Sequence, residues 1–184
     1  MDDSVLIGRT LNGDQEAFEV LVQRHGPAVF NFLLRFLPDP DDAADLAQEV
    51  FLQAWRHLIR FDPHQGRFRN WLLRIASNNA VNRLRSRRRA AERERTAAGL
   101  RDEEGFPPVV RLEEEESLEQ LRRAIRALPD GERQVVLLAC YHELPYREVA
   151  AVLDLPIGTV KSRMHSAVAR LRAVLVPREV GEES

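Results

Sequence analysis

At about 100° per residue, Thr159, Ser162, Arg163, Ser166 and Arg170 share one helix face, which is small, hydroxylated and basic and carries no acid. Lys161, His165 and Arg172 flank it. This is the chemistry of recognition, not of bond breaking. Arginine can grip guanine through two hydrogen bonds, short hydroxyls let a helix approach the major-groove floor, and flanking cations can reach phosphates. A surface helix with solvated arginines would show the same face, so the preceding stretch decides. Tyr146 to Val152 is patterned as a short helix with Val149, Ala150 and Val152 for packing. Leu153-Asp154-Leu155 makes a turn, and Pro156 sits in the first turn of the next helix, which tolerates its missing N–H. Ile157, Val160, Met164, Val168, Leu171 and Leu175 then supply an apolar stripe. Short helix, turn and acid-free second helix together read as a helix-turn-helix.

Two further helices carry patterned polar faces. Residues 70–89 place Leu72, Leu73, Ala76, Ala80 and Leu84 on a core side, opposite Trp71, Ile75, Asn78, Asn82 and Arg85. An aromatic, two amides and an arginine on one face can stack on bases and read their edges. Trp71 and Ile75 fit a core equally well. Arg83, Arg85, Arg87, Arg88 and Arg89 add a phosphate-binding patch. Residues 41–59 place Leu46, Ala47, Val50, Phe51, Ala54 and Leu58 on one side and Asp42, Asp45, Gln48, Glu49, Gln53 and Arg56 on the other. Such a polar stripe is either a solvated face or a docking surface for a basic partner helix.

The elements that must position these faces read as helices throughout. The chain has 184 residues, 44% of them hydrophobic, which suffices for one large or two small packed domains. Strand signals are weak, so the expected class is all-α: two small helical domains joined by a flexible linker, the second a four-helix domain with the helix-turn-helix. Residues 14–36 form one helix that Gly26-Pro27 should bend or break. Leu37 to Asp41 is a turn, with acids crowding the next helix start, where the macrodipole favours them. Residues 61–70 are a loop containing Pro63 and Gly66. Residues 90–116 lose periodicity and turn acidic, giving the linker. Helices resume over 117–128 and 134–143. The expected boundaries are 1–89, 90–116, 117–176 and a tail of 177–184.

Formal net charge is −2, but it is unevenly laid out. Residues 67–95 hold 10 arginines against 2 acids, between an acidic 1–66 with 5 arginines against 11 acids and an acidic 100–120 with 2 against 8. That pattern suits a chain with several charged partners better than a uniformly basic DNA coat. Cys140 is the single cysteine, so no internal disulfide forms, and Cys140 with His142 alone make no zinc site. No metal, cofactor or catalytic residue is expected. The acidic N-terminus lacks a signal peptide's basic and apolar regions, and no run reaches membrane-spanning length. A cytoplasmic protein without direct membrane contact is expected.

In chain order the motifs are Asp42-Ala-Ala-Asp-Leu-Ala-Gln-Glu-Val-Phe-Leu-Gln-Ala-Trp55, Trp71-Leu-Leu-Arg-Ile-Ala-Ser-Asn78, Asn82-Arg-Leu-Arg-Ser-Arg-Arg-Arg89, Leu128-Pro-Asp-Gly-Glu-Arg-Gln-Val-Val-Leu-Leu138 and Gly158-Thr-Val-Lys-Ser-Arg-Met-His-Ser-Ala167. Together they resemble the extracytoplasmic-function (ECF) group of bacterial sigma factors over about residues 14–176. The resemblance implies a non-catalytic, dissociable RNA polymerase subunit that selects promoters. It implies that Asp42, Asp45, Gln48, Glu49 and Gln53 dock on the clamp of the largest polymerase subunit. It implies that the 61–70 loop, with Phe68, Asn70 and Trp71, and the face with Asn78, Asn82, Arg85 and Arg88 capture the −10 element, a base flipping into a pocket at that loop. The 156–172 helix would read the −35 element through Thr159, Lys161, Ser162, Arg163, His165, Ser166 and Arg170, the C-terminal domain would rest on the polymerase flap, and an anti-sigma factor would cover the polymerase-binding surfaces.

Three positions depart from the family pattern. Asp154 stands where the turn usually has glycine, and aspartate tolerates a left-handed backbone. Asn82 replaces a commoner aspartate, and Ser77 a frequent basic residue, removing a phosphate contact. Two rival readings remain. A stand-alone helix-turn-helix regulator accounts for 145–172 but not for 41–89. A metal-dependent nuclease using Asp41, Asp42 and Asp45 lacks a partnered histidine or downstream acid.

Overall fold

The computed structural model describes residues 1–98 and 114–175, and every regular element among them is helical. Helix α1 (Asp3–Leu11) precedes the elements expected from sequence. Its signals are an N-cap at Asp2, whose carboxylate accepts from the Asp3 N–H at 2.7 Å, and Leu6, Ile7 and Thr10 buried at helical spacing. Asp3 then pairs with Arg24 at 2.5 Å and His25 at 2.9 Å on the next helix.

Helix α2 (Gln15–Phe36) starts at an Asp14 cap and runs unbroken through Pro27. The expected break is absent. A mid-helix proline costs about 3 kcal/mol, but Ala17, Phe18 and Leu21 before it and Val29, Phe32, Leu33 and Phe36 after it bury into the same core and hold the two halves in line. Helix α3 (Pro40–His57) is capped by Asp39, with proline in its first turn. Single 3₁₀ turns at Leu58–Arg60 and Pro63–Gln65 lead to α4 (Phe68–Ala98).

Helix α4 overruns the expected linker start by nine residues, because Ala90 to Ala98 are mostly strong helix formers. The rest of the linker up to Glu113, and the tail beyond Leu175, lie outside the described residues. Helices α5 (Glu114–Ala127), α6 (Asp130–Val136), α7 (Tyr146–Leu153) and α8 (Ile157–Leu175) form the C-terminal half. Where one helix was expected over 134–143, α6 instead widens into a π turn at Leu137–Tyr141, with His142 N–H donating to Leu137 O at 3.2 Å. The widened turn leaves Cys140 exposed and buries His142. Asp154 closes α7 with φ 55° and ψ 50°, the left-handed conformation expected of it.

The two halves share one apolar core. Phe32, Phe36, Leu72 and Leu73 belong to the same buried cluster as Leu137, Leu138 and Val149. At its edge, buried Arg133 donates to Phe36 O at 2.9 Å and Leu128 O at 3.0 Å and lies 4.9 Å over the Phe36 ring. It thereby satisfies a carbonyl at the C-terminal end of α2. Burial lowers the Arg133 pKa to about 10, which leaves it protonated at neutral pH. Gln134 donates to Ser77 Oγ at 2.7 Å. Ser77 is fully buried at this seam, so its position offers no phosphate contact here.

Candidate nucleic-acid interface

Helix α8 packs through Val160, Met164, Ala167 and Leu171. Ile157 and Val168, expected in that stripe, are exposed. The difference is a small rotation. Ala167 is fully buried against Leu128 and Val136, and a small residue is what a close helix approach needs, whereas a hydropathy pattern ranks Val168 above it. The rotation sorts the predicted reading residues. Lys161, Ser162, His165 and Ser166 are exposed, and Arg172 extends their side. Ser162 Oγ donates to Thr159 O at 3.0 Å, and Thr159 is half-buried. Arg163 turns inward, its guanidinium so close to Gly131 that a Cβ there would lie 2.9 Å from it. Arg170 pairs with Glu132 at 3.2 Å. Arg163 is thus drawn onto α6, whereas Arg170 meets Glu132 while staying 59% exposed.

Helix α4 leaves Arg74, Asn78, Asn82, Arg85 and Arg89 exposed at spacings of four and three. Asn78, Asn82 and Arg85 make no hydrogen bond within the described residues and are free to meet a ligand. Phe68 is different. It is 2% exposed, edge-on to His25 and Phe61 and stacked on Trp71 at 5.6 Å. Trp71 and Phe61 are half-buried in this aromatic group, so Phe68 supports the loop while Trp71 and Phe61 keep an edge outward. The loop is pinned by Asp62, which accepts from the His64 N–H at 2.9 Å and Gln65 Nε2 at 3.0 Å. The backbone N–H of His64 holds the Asp62 carboxyl below its usual range. Gly66 turns the chain at φ 147°. A cavity of about 960 Å³ opens beside this loop, lined in part by His64, Arg67, Asn70 and Trp71.

The polar face of α3 divides in two. Asp42 is buried and pairs with Arg83 at 3.1 Å and with Arg87; Glu49 pairs with Arg83 at 2.7 Å; Gln53 accepts from Asn79 at 3.1 Å. These three bind α4. Asp45 and Gln48 remain exposed and uncommitted. Beside them the sequence reading overlooked an apolar row: Leu52 is 56% exposed, Trp55 39% and Ile59 76%. The row borders a groove of about 810 Å³ between α2 and α3, lined by Phe18, Val22, Phe30 and Phe51. The spacing 48, 52, 55, 59 was the available signal, since Leu52, Trp55 and Ile59 fall outside the apolar stripe of Leu46, Ala47, Val50, Phe51, Ala54 and Leu58.

Among the described residues no group of three or more histidine, cysteine or acidic side chains could hold a metal ion, and no helix is long and apolar enough to cross a membrane. Sigma-70 region 2 matches residues 21–90, and Sigma-70 region 4 matches residues 118–171. The chain is 35% identical over 175 residues to the ECF RNA polymerase sigma-E factor of Escherichia coli K12, covering 91% of each. It is 32% identical over 174 residues to the ECF sigma factor SigK of Mycolicibacterium vanbaalenii, covering 92% of this chain and 87% of that one. Its fold matches that of CnrH in complex with the cytosolic domain of CnrY, with TM-score 0.69 and 32% identity over 94% of this chain and 96% of that one. It also matches the sigma factor RpoE of Bartonella quintana in complex with the anti-sigma factor NepR, with TM-score 0.67 and 25% identity over 86% and 96%. With both sigma-70 regions in order on an all-helical fold, the chain belongs to the ECF family of RNA polymerase sigma factors, non-enzymatic subunits that direct transcription initiation.

Proposed function

We propose the following division of labour for this sigma factor. Residues 1–89 dock on core RNA polymerase and take the −10 element, residues 90–116 link the halves, and residues 117–176 read the −35 element and rest on the polymerase flap. The −35 readers are Lys161, Ser162, His165 and Ser166. The observation that supports them is their exposure on the solvent side of the acid-free helix α8, while Arg163 packs against Gly131 and Arg170 pairs with Glu132 of α6. The −10 surface is the cavity at the 62–70 loop with Asn70 and Trp71, continued along α4 by Asn78, Asn82, Arg85 and Arg88. The amides suit base edges and the arginines suit phosphates.

Polymerase docking falls to Asp45 and Gln48 together with Leu52, Trp55 and Ile59. Asp42, Glu49 and Gln53 shape that helix through α4 and act at one remove. A partner that covers these faces, an anti-sigma factor such as NepR in the complex of the similar RpoE, would hold the protein inactive in the cytoplasm. The test is run-off transcription with core polymerase on a promoter library. The wild type yields transcripts from templates that share two elements, and a Ser166→Ala, Lys161→Ala variant relaxes the upstream element alone. A protein that binds duplex promoter DNA tightly without polymerase, and yields no transcripts with it, is a stand-alone regulator instead.

A further inference from the structure

The 62–70 loop has a fastening besides Asp62, and helix α1 carries it. Asp2 caps α1, and Leu6, Ile7 and Thr10 bury its inner side, which brings Asp3 in the first turn against α2. The two carboxylate oxygens of Asp3 are divided. Oδ1 accepts from Arg24 at 2.5 Å, and Oδ2 accepts from His25 Nε2 at 2.9 Å. His25 is 7% exposed and stands edge-on to Phe68, with ring centroids 5.4 Å apart. Phe68 packs in turn on Phe61 at 5.3 Å and on Trp71 at 5.6 Å, the two rings that keep an edge outward. Asp2, Asp3, Ser4, Ile7 and His25 also line the cavity at this loop.

We propose that His25, held by Asp3, is a positioning residue for the −10 cavity: it sets the angle of Phe68, and through Phe68 the outward edges of Trp71 and Phe61. A buried imidazole needs a partner for its N–H, and the Asp3 carboxylate supplies one. The Phe68 side chain has no polar atom, so the rings around it fix its angle. Of the three rings against it, His25 alone is anchored by a hydrogen bond among the described residues. Edge-to-face contact is a favoured arrangement of two such rings. An interior packed at crystal density passes the tilt of one ring to the next. Side chains that meet a ligand must be held within about 0.5 Å of their working place by the residues behind them. Arg24 anchors the same helix through Asp3 and Met1 O, at 2.5 and 2.9 Å, yet forms no cation–π pair with this ring group among the described residues. Anchoring α1 and orienting the loop are therefore separable.

The inference rests on the reading of the loop as the −10 site, and the experiment separates the two claims. Full-length protein with core polymerase transcribes a library randomised over both promoter elements, and base preference is read position by position. Trp71→Ala reports on the loop directly and lowers the preference at one downstream position at least tenfold. Asp3→Ala and His25→Ala lower the preference at that same position at least fivefold and leave the upstream element within twofold of wild type. Arg24→Ala stays within twofold at both elements. Asp3→Asn keeps an amide oxygen for His25 and restores the downstream preference to within twofold of wild type.

A pair that only anchored α1 would lower the yield from all templates alike, so Asp3→Ala and His25→Ala with reduced yield and intact preferences overturn the positioning role. An equal downstream shift in Arg24→Ala overturns it too, because any loosening of α1 would then suffice. A shift in Asp3→Asn as large as in Asp3→Ala overturns the hydrogen bond as the link. Where His25→Ala does not fold, Asp3→Ala decides alone, the Asp3 side chain being 26% exposed. Trp71→Ala with an unmoved downstream preference removes the −10 reading of the loop, and the positioning role falls with it. A Trp71→Ala effect without an Asp3→Ala effect overturns the positioning role and leaves the −10 reading standing.

Discussion

On α8, neighbouring positions have opposite fates. Arg163 and Ser162 are adjacent in sequence, yet one packs on Gly131 and the other faces solvent. Substituting alanine at His165 or Ser166 is expected to weaken discrimination at one or two −35 positions, by up to about 1–3 kcal/mol for a good base contact, with melting unchanged. Arg163→Ala is expected to do the reverse: a loss of about 1 kcal/mol in chemical denaturation and discrimination unchanged across a −35 mutant panel. Position-specific relaxation in Arg163→Ala would return that arginine to the reading face. Asp42 and Asp45 make a similar contrast on α3. Asp42→Ala leaves Arg83 and Arg87 without their shared carboxylate and should destabilise the fold by about 1–3 kcal/mol, whereas Asp45→Ala should leave stability intact and weaken polymerase binding. Equal melting of the two variants would remove that distinction.

At the scale of elements, the helices on each side of the linker were legible because their caps and apolar periods are strong: Asp39-Pro40 opens α3, and Pro156 opens α8. What escaped had a physical reason. Pro27 is overridden by burial on both sides of it, α1 is short and announced only by Asp2 and three buried residues, and the π turn at Leu137–Tyr141 leaves no mark in apolar spacing. The polar stripe on α3 was legible as a face, but its division between α4 and solvent depends on Arg83, Arg87 and Asn79, which come from another helix. The face of α8 was legible to within the rotation that one buried alanine imposes.

His142 supplies a prediction for the seam. Burial, then the positive charges of Arg69 and Arg35, lowers its pKa from 6.5 to about 4, and the neutral ring accepts from Arg69. A depressed histidine pKa means that the folded state favours the neutral form. The resulting stability is therefore present above the unfolded pKa and is lost as pH falls from about 6.5 towards 4. At about 1.4 kcal/mol per pKa unit the full loss is roughly 3 kcal/mol. Denaturation of wild type and His142→Gln between pH 7 and pH 4 checks it: the gap between them should narrow as pH falls, and a constant gap would show that His142 does not titrate with folding.

At the scale of the whole molecule, the arrangement explains how a chain with net charge −2 can serve as a DNA-reading subunit. Its basic run lies along α4, the acid-free helix α8 carries its other cations, and Asp42, Glu49 and Asp130 pair with arginines of α4. Such a chain has little net electrostatic pull on DNA by itself, which is what a subunit that works through polymerase requires. On the proposed assignment each half offers one reading face, and promoter choice then needs both faces displayed together on a scaffold larger than the protein. Leu52→Ala or Trp55→Ala should therefore reduce polymerase binding and lower transcription from every promoter in proportion, with no change in sequence preference.

Run-off transcription with core RNA polymerase and a randomised promoter library tests this account most directly. The account predicts transcripts that depend on the protein, from templates sharing an upstream and a downstream element, with the upstream preference altered by Lys161→Ala and Ser166→Ala and the downstream preference by Asn78→Ala and Asn82→Ala. Transcripts whose upstream and downstream preferences are unmoved by either pair of substitutions, or tight duplex binding without polymerase and no transcription with it, would contradict it.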